Sequence, residues 1–262
     1  MAGRHYNISC GKIRSLFYRI MRTSSMSVYT VVEQNDLETF LQNYNVGKLV
    51  SFEGISAGIE NTNYFVNTNL DGKELRFVLT IFEHHSFDEL TYFLDIMAFM
   101  ADHNIPTAHP VATHQRNYLI ELKSKPAALV ERLKGEGVEA PNINQCRVMG
   151  KSLAQFHLAG AEFEGHRDND RALDWMQQTY DLIQTHLPDD EKSLIQEELA
   201  NQQLINWSSL PSGVIHADLF CDNALFDGDQ LSGIIDLYYA CNSTFLYDLA
   251  VMVNDWCRSH LE

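Results

Sequence analysis

The stretch Gly213-Val214-Ile215-His216-Ala217-Asp218-Leu219-Phe220-Cys221-Asp222-Asn223-Ala224-Leu225-Phe226, followed by Ile234-Ile235-Asp236, decides how this chain is read. It spells His-x-Asp-x-x-x-x-Asn, a short strand, a turn at Asp227-Gly228, a second strand and then an acid. Each residue type has a task in phosphoryl transfer. Asp218 is a carboxylate placed to accept a hydroxyl proton, which makes it the expected catalytic base. The amide oxygen of Asn223 and the carboxylate of Asp236 are the hard oxygen donors that magnesium takes. His216 reads as a brace for the loop rather than an acid or base. The apolar pairs Val214-Ile215 and Ile234-Ile235 and the Asp-Gly turn supply the strand–loop–hairpin context that a chance polar loop lacks.

Composition agrees with a globular enzyme and excludes other classes. The chain has 262 residues, 45% hydrophobic and 21% charged, enough for one large domain or two lobes. Its net charge of −16 argues against a nucleic-acid-binding surface. No apolar run has the length of a membrane span, so no membrane partner is expected. The five cysteines, Cys10, Cys146, Cys221, Cys241 and Cys257, are scattered and include no Cys-x-x-Cys pair. That pattern predicts free thiols in a reducing cytosol and a cytoplasmic location.

Residues 1–25 carry Arg4, Lys12, Arg14, Arg19 and Arg22 and no acid; the remaining chain, with 14 basic and 35 acidic residues, carries −21. Gly11 to Arg22 has the pattern of a basic amphipathic helix, readable as a surface anchor. Without an apolar h-region or cleavage pattern, it reads more simply as an extension ahead of a start at Met26.

Downstream, Asn35 to Leu41 reads as an amphipathic helix with Leu37, Phe40 and Leu41 on one face. Leu49–Phe52 and Tyr64–Asn67 read as strands. The small-residue loop Gly54 to Asn63 between them suits close backbone approach to phosphates. Asp71-Gly72 is a two-residue hairpin signal leading into the strand Glu74 to Phe82. Phe87 to Met100 is periodic as a helix, and Tyr118–Glu121 and Ala127–Val130 read as strands. After Gly135-Glu136-Gly137 the chain turns helical, over Asn144–Ala161, Asp174–His186, Glu191–Asn206 and Asp248–Leu261. The predicted fold class is therefore α+β: a bilobal, protein-kinase-like fold with a β-rich N-lobe (26–129), a hinge (130–134) and a mainly helical C-lobe (135–262). In such a plan ATP binds in the cleft between lobes, away from water.

Other polar clusters read as structural. His166-Arg167-Asp168 resembles a kinase tripeptide, but no strand precedes it and Leu173 stands where an asparagine is required. It reads as a solvated inter-helix loop, with a substrate-lining role left open for Arg167 or Arg171. His157 reads as a semi-buried histidine beneath the catalytic loop. The remaining histidines show no zinc-ligand spacing with the cysteines.

Taken together, the catalytic stretch, the helix Leu153-Ala-Gln-Phe-His157 and the linker Pro126 to Leu133 resemble the aminoglycoside phosphotransferase and choline kinase superfamily. Within it, Ile59 to Val66, Phe77 to Glu83, Ser212 to Phe220 and Val253 to Cys257 resemble bacterial homoserine kinases, as does Met26-Ser-Val-Tyr-Thr30. The resemblance runs from Met26 to Glu262. It implies ATP-dependent phosphorylation of the L-homoserine hydroxyl to O-phospho-L-homoserine, on the route to threonine. It also implies that Asp218 is the base and that Asn223 and Asp236 bind Mg2+. Ser56, Ala57, Gly58 and Asn61 would cover the phosphates, and Val130, Glu131 and Arg132 would meet adenine. Thr80 stands where relatives in the superfamily carry a phosphate-holding lysine, as it does in the homoserine kinase subgroup. The family continues for several helices beyond the position of Glu262, which implies a shortened C-lobe. Tyr238, Asp255 and Trp256 are expected on the substrate side. The alternatives are a kinase for an aminoglycoside or amino alcohol, and an inactive, truncated kinase-like protein.

Overall fold

The computed structural model describes residues 29–56 and 60–257. The basic stretch at 1–25 lies outside them. The described chain divides into two compact units: residues up to Leu94 with Ala108–Leu133, and Asp95–Thr107 with the residues from Lys134 on.

The first unit opens with helix α1 (Gln34–Leu41), started by a reciprocal cap between Glu33 and Asp36. Strands β1 (Lys48–Gly54), β2 (Thr62–Leu70) and β3 (Lys73–Ile81) follow. Asp71 and Gly72 both have positive φ, 51° and 87°. A type I′ turn demands this, and it matches the right-handed twist of the strands it joins. The turn fixes the β2–β3 register over nine pairs, from Thr62–Ile81 to Leu70–Lys73. Strands β4 (Leu119–Leu122) and β5 (Lys125–Glu131) complete an antiparallel sheet in the order β1-β2-β3-β5-β4. Alternation along β2 buries Thr62, Tyr64, Val66 and Thr68 and turns Asn63, Phe65 and Asn67 the other way. The buried face packs Val66, Leu79, Ile81 and Leu129 against Leu37 and Phe40 of α1.

Helix α2 (Phe87–Asp102) begins in the first unit and ends in the second. Asp95–Thr107 therefore groups with the second unit, whereas the sequence reading placed all of 26–129 in one lobe. The cause is specific contact: Phe99 packs on Phe163 at 5.2 Å, and the Ile234 N–H donates to the Pro106 carbonyl at 2.6 Å.

The second unit contains β6 (Glu136–Gly137), α3 (Ile143–Gly160), α4 (Leu173–Ile183), α5 (Asp189–Leu204), β7 (Ser212–Ile215), β8 (Ala224–Asp227), β9 (Gln230–Ile234), β10 (Cys241–Thr244) and α6 (Phe245–Trp256). Gly160 brings α3 close to β7, since a Cβ there would lie 2.9 Å from the Val214 side chain. Strands β7 and β10 pair antiparallel, and β6, β8 and β9 form a second small sheet. Asp227 pairs with Gln230, so the β8–β9 turn is Gly228-Asp229, one residue later than expected. Asp229 at its tip accepts from the side-chain amides of Asn142 and Asn144, which ties the hairpin to the start of α3. Among the described residues no helix is long and apolar enough to cross a membrane.

Candidate active site

The loop after β7 carries His216, Ala217 and Asp218, and the short 3-10 turn Cys221–Asn223 follows it into β8. Ala217 sits at φ 65°, in the left-handed region that costs a residue with a Cβ about 1–2 kcal/mol. The surroundings over-determine it. Asp248 on α6 has no exposed surface, and its carboxylate accepts the N–H of His216 at 3.0 Å and of Ala217 at 2.9 Å. The same carboxylate accepts Nε2–H of His157 at 2.8 Å, and the His157 ring stacks on Phe245 at 4.3 Å. His157 thus orients Asp248, and Asp248 orients the loop.

His216 is fully buried. Its Nε2–H donates to the Ile235 carbonyl at 3.0 Å, and its Nδ1 accepts the Asp218 N–H at 3.3 Å. Burial holds its pKa below the usual histidine range, with Asp248 and the Ile235 carbonyl pulling the other way. A neutral ring is the species that both bonds require. It links the loop of Asp218 to Ile235, the residue before Asp236.

Asn223 donates through Nδ2 to the Asp218 carbonyl at 2.7 Å and to Asp218 Oδ2 at 3.0 Å. Both bonds come from the nitrogen, so the amide oxygen points away from Asp218. Asp236 has φ 64°, a second strained residue beside the same loop. Asp218, Asn223 and Asp236 are therefore brought together. The Asp218 pKa is pushed up to about 7, first by burial and then by the Asp236 charge; Arg171 and the Asn223 bond oppose the rise, and Asp222 adds to it.

Two residues expected on the substrate side lie elsewhere. Asp255 accepts the buried N–H of Cys221 at 2.7 Å, and Trp256 Nε1–H donates to the Leu219 carbonyl at 3.0 Å. Both are buried beneath the loop that carries Asp218, because α6 turns them toward its backbone. Tyr238 is half-buried in the 3-10 turn Leu237–Tyr239 that follows Asp236.

The inter-helix loop at Gly165–Asp170 is fastened rather than free. The Arg167 N–H donates to Asn242 Oδ1 at 3.0 Å, and the Asn242 N–H donates to the Arg167 carbonyl at 2.7 Å. This anchors the solvated inter-helix loop to β10. Residues 75 positions apart pair here without a local signature.

In the first unit, Thr80 is buried and donates through Oγ1 to Asn63 Oδ1 at 2.8 Å on the neighbouring strand. Asn61 is buried, and its Oδ1 has no hydrogen-bond partner. Ser56 is exposed, while Ala57 and Gly58 lie outside the described residues. The Glu131 N–H is committed to the His109 carbonyl at 3.0 Å and the Arg132 N–H to the Arg76 carbonyl at 3.0 Å. Val130 is buried in the sheet, and the Arg132 guanidinium lies 3.7 Å over the Phe65 ring. Backbone donors for a purine are thus not supplied by residues 131 and 132.

Comparison with known proteins follows the same line. The pattern of the phosphotransferase enzyme family matches residues 51–262. The homoserine kinase of Methylobacillus flagellatus is 43% identical over 232 residues, covering 88% of this chain and 72% of that protein. The homoserine kinase of Polaromonas naphthalenivorans is 42% identical, covering 88% and 73%. Among solved structures, an amicoumacin kinase in complex with AMP-PNP, Ca2+ and Ami superposes with a TM-score of 0.68 at 16% identity, over 85% of this chain and 69% of that one. A spectinomycin phosphotransferase in complex with ADP and spectinomycin gives 0.62 at 14% identity, over 88% and 78%. At these identities the structures show a shared fold, the α+β kinase-like one.

Proposed function

The chain belongs to the phosphotransferase enzyme family and, within it, to the homoserine kinases; on that premise we propose how its residues phosphorylate L-homoserine with ATP. The observation that carries the assignment is the grouping of Asp218, Asn223 and Asp236 on one braced loop and the adjoining hairpin.

Asp218 takes the proton of the substrate hydroxyl as that oxygen bonds to the γ-phosphorus and the bond from γ-phosphorus to the bridging oxygen of ADP breaks. The products are O-phospho-L-homoserine and ADP. The Asn223 bond fixes the Asp218 carboxylate in one rotamer, so the base is aimed before substrate arrives. Its raised proton affinity suits a base working near neutral pH.

The donor set also fits magnesium. The Asn223 amide oxygen and the Asp236 carboxylate are the hard oxygen donors that magnesium takes. Asn223 Oδ1 and the Asp236 carboxylate would hold magnesium, which would offset phosphate charge.

In the first unit we assign Ser56, Ala57, Gly58, Asn61 and Thr80 to the triphosphate. The Asn61 side-chain amide N–H and the Thr80 hydroxyl are the donors offered where a lysine is absent. With the N–H groups of Glu131 and Arg132 committed, the donor that meets adenine falls to Leu133, just past the residues first expected.

Asp218→Asn tests the assignment. The amide keeps the shape and removes the base, so kcat should fall on the order of 100- to 10,000-fold while the melting temperature and nucleotide affinity stay near the parent's. Turnover equal to the parent's would remove Asp218 from the role of base.

A further inference from the structure

L-Homoserine differs from an amino alcohol by one carboxylate, so an enzyme selective for it needs a cation near the base. Arg171 is placed for this. It ends the loop that Asn242 fastens to β10, and its own N–H donates to Asn169 Oδ1 at 2.8 Å. Asn169 in turn donates through Nδ2 to Ser243 Oγ at 3.3 Å. The guanidinium lies 4.1 Å over the ring of Tyr239, three residues past Asp236, and 5.7 Å from the ring of Trp175.

Stacking uses the face of a guanidinium and leaves its edge N–H groups to meet a carboxylate side by side. Among the described residues Arg171 makes no ion pair, unlike its neighbour Arg167, which pairs with Asp170. Among the described residues Arg171 is the cation that lowers the proton affinity of Asp218, against Asp236 and Asp222, and it also lowers that of Tyr247.

We propose that Arg171, held on the rings of Trp175 and of Tyr239, three residues past Asp236, binds the carboxylate of L-homoserine and so selects an amino acid over an amino alcohol. This rests on the homoserine kinase reading above. A fixed cation at this point also repels polycationic aminoglycosides, so one residue both attracts the right substrate and rejects a wrong one.

The test is a cycle of substrate and side chain. Parent, Arg171→Met and Arg171→Lys are assayed with L-homoserine and with 3-aminopropan-1-ol, which has hydrogen in place of the carboxylate. For Arg171→Met, the kcat/KM ratio of homoserine to analogue should fall about 10- to 100-fold, the loss of a charge-assisted hydrogen bond. The loss should appear in KM for homoserine, with KM for ATP and the melting temperature retained. Arg171→Lys should recover part of the ratio. Equal losses on both substrates would overturn the proposal, since a merely structural role predicts them. Binding titrations of the two ligands in the presence of AMP-PNP repeat the comparison without turnover. A parent that binds homoserine through Arg171 yet never phosphorylates it contradicts the functional reading alone. A parent that binds both ligands equally contradicts the role of Arg171.

Discussion

Asp248 accepts the backbone N–H of Ala217, the residue immediately before Asp218, at 2.9 Å, and does so from a position with no exposed surface. With the His216 N–H and the His157 ring also bound, one buried carboxylate fixes the strained backbone that presents Asp218, the proposed base. An asparagine there has a single acceptor oxygen and a nitrogen that faces donors. Asp248→Asn should therefore cost about 3 kcal/mol of stability and at least tenfold in kcat. Denaturant unfolding and steady-state kinetics read the two effects. A variant of parental stability would show that the loop holds itself.

Asp255 and Trp256 hold the same loop further along. Asp255→Ala orphans the buried Cys221 N–H, and stability should drop by about 1–3 kcal/mol. Because neither residue faces substrate, kcat should fall with KM for homoserine changed little. A rise confined to KM would instead restore Asp255 to the substrate side.

In the first unit, Glu83 accepts from Thr30 Oγ1 at 2.8 Å and Thr62 Oγ1 at 2.6 Å and pairs with Lys125. Burial alone would raise its pKa, but the bonds from Lys125, Thr62 and Thr30 outweigh burial and hold it below its ordinary value of 4.5. A depressed carboxyl stabilises the fold fully above its unfolded pKa and loses that contribution as pH falls through the folded value. Thermal melts of parent and Glu83→Gln should thus differ most at neutral pH and converge as pH drops below 4.5. A gap that widens in acid would contradict the sign.

Much of this was legible in the chain. Asp71-Gly72 announced the β2–β3 hairpin because only a tight turn with two positive φ values joins strands there. The spacing from His216 to Asn223 put Asp218 and Asn223 on one short segment, and hydrogen bonds join them there. Asp248 was not legible: an acid within Phe-Leu-Tyr-Asp-Leu-Ala looks like an exposed residue of an amphipathic helix, and its three donors come from far along the chain. The anchoring of Arg167 by Asn242 escaped for the same reason. So did β10, whose partner β7 ends 26 residues earlier. Trp256 was expected on the substrate side, whereas the helix phase places it under Leu219.

The most direct measurement is magnesium-dependent transfer of phosphate from ATP to L-homoserine by this chain, followed by 31P NMR of the product, with L-serine, choline and kanamycin alongside. The account predicts O-phospho-L-homoserine, strong preference for homoserine over the other three, and loss of the signal in Asp218→Asn. Equal or faster phosphorylation of choline or kanamycin, or product formation that survives Asp218→Asn, would contradict it.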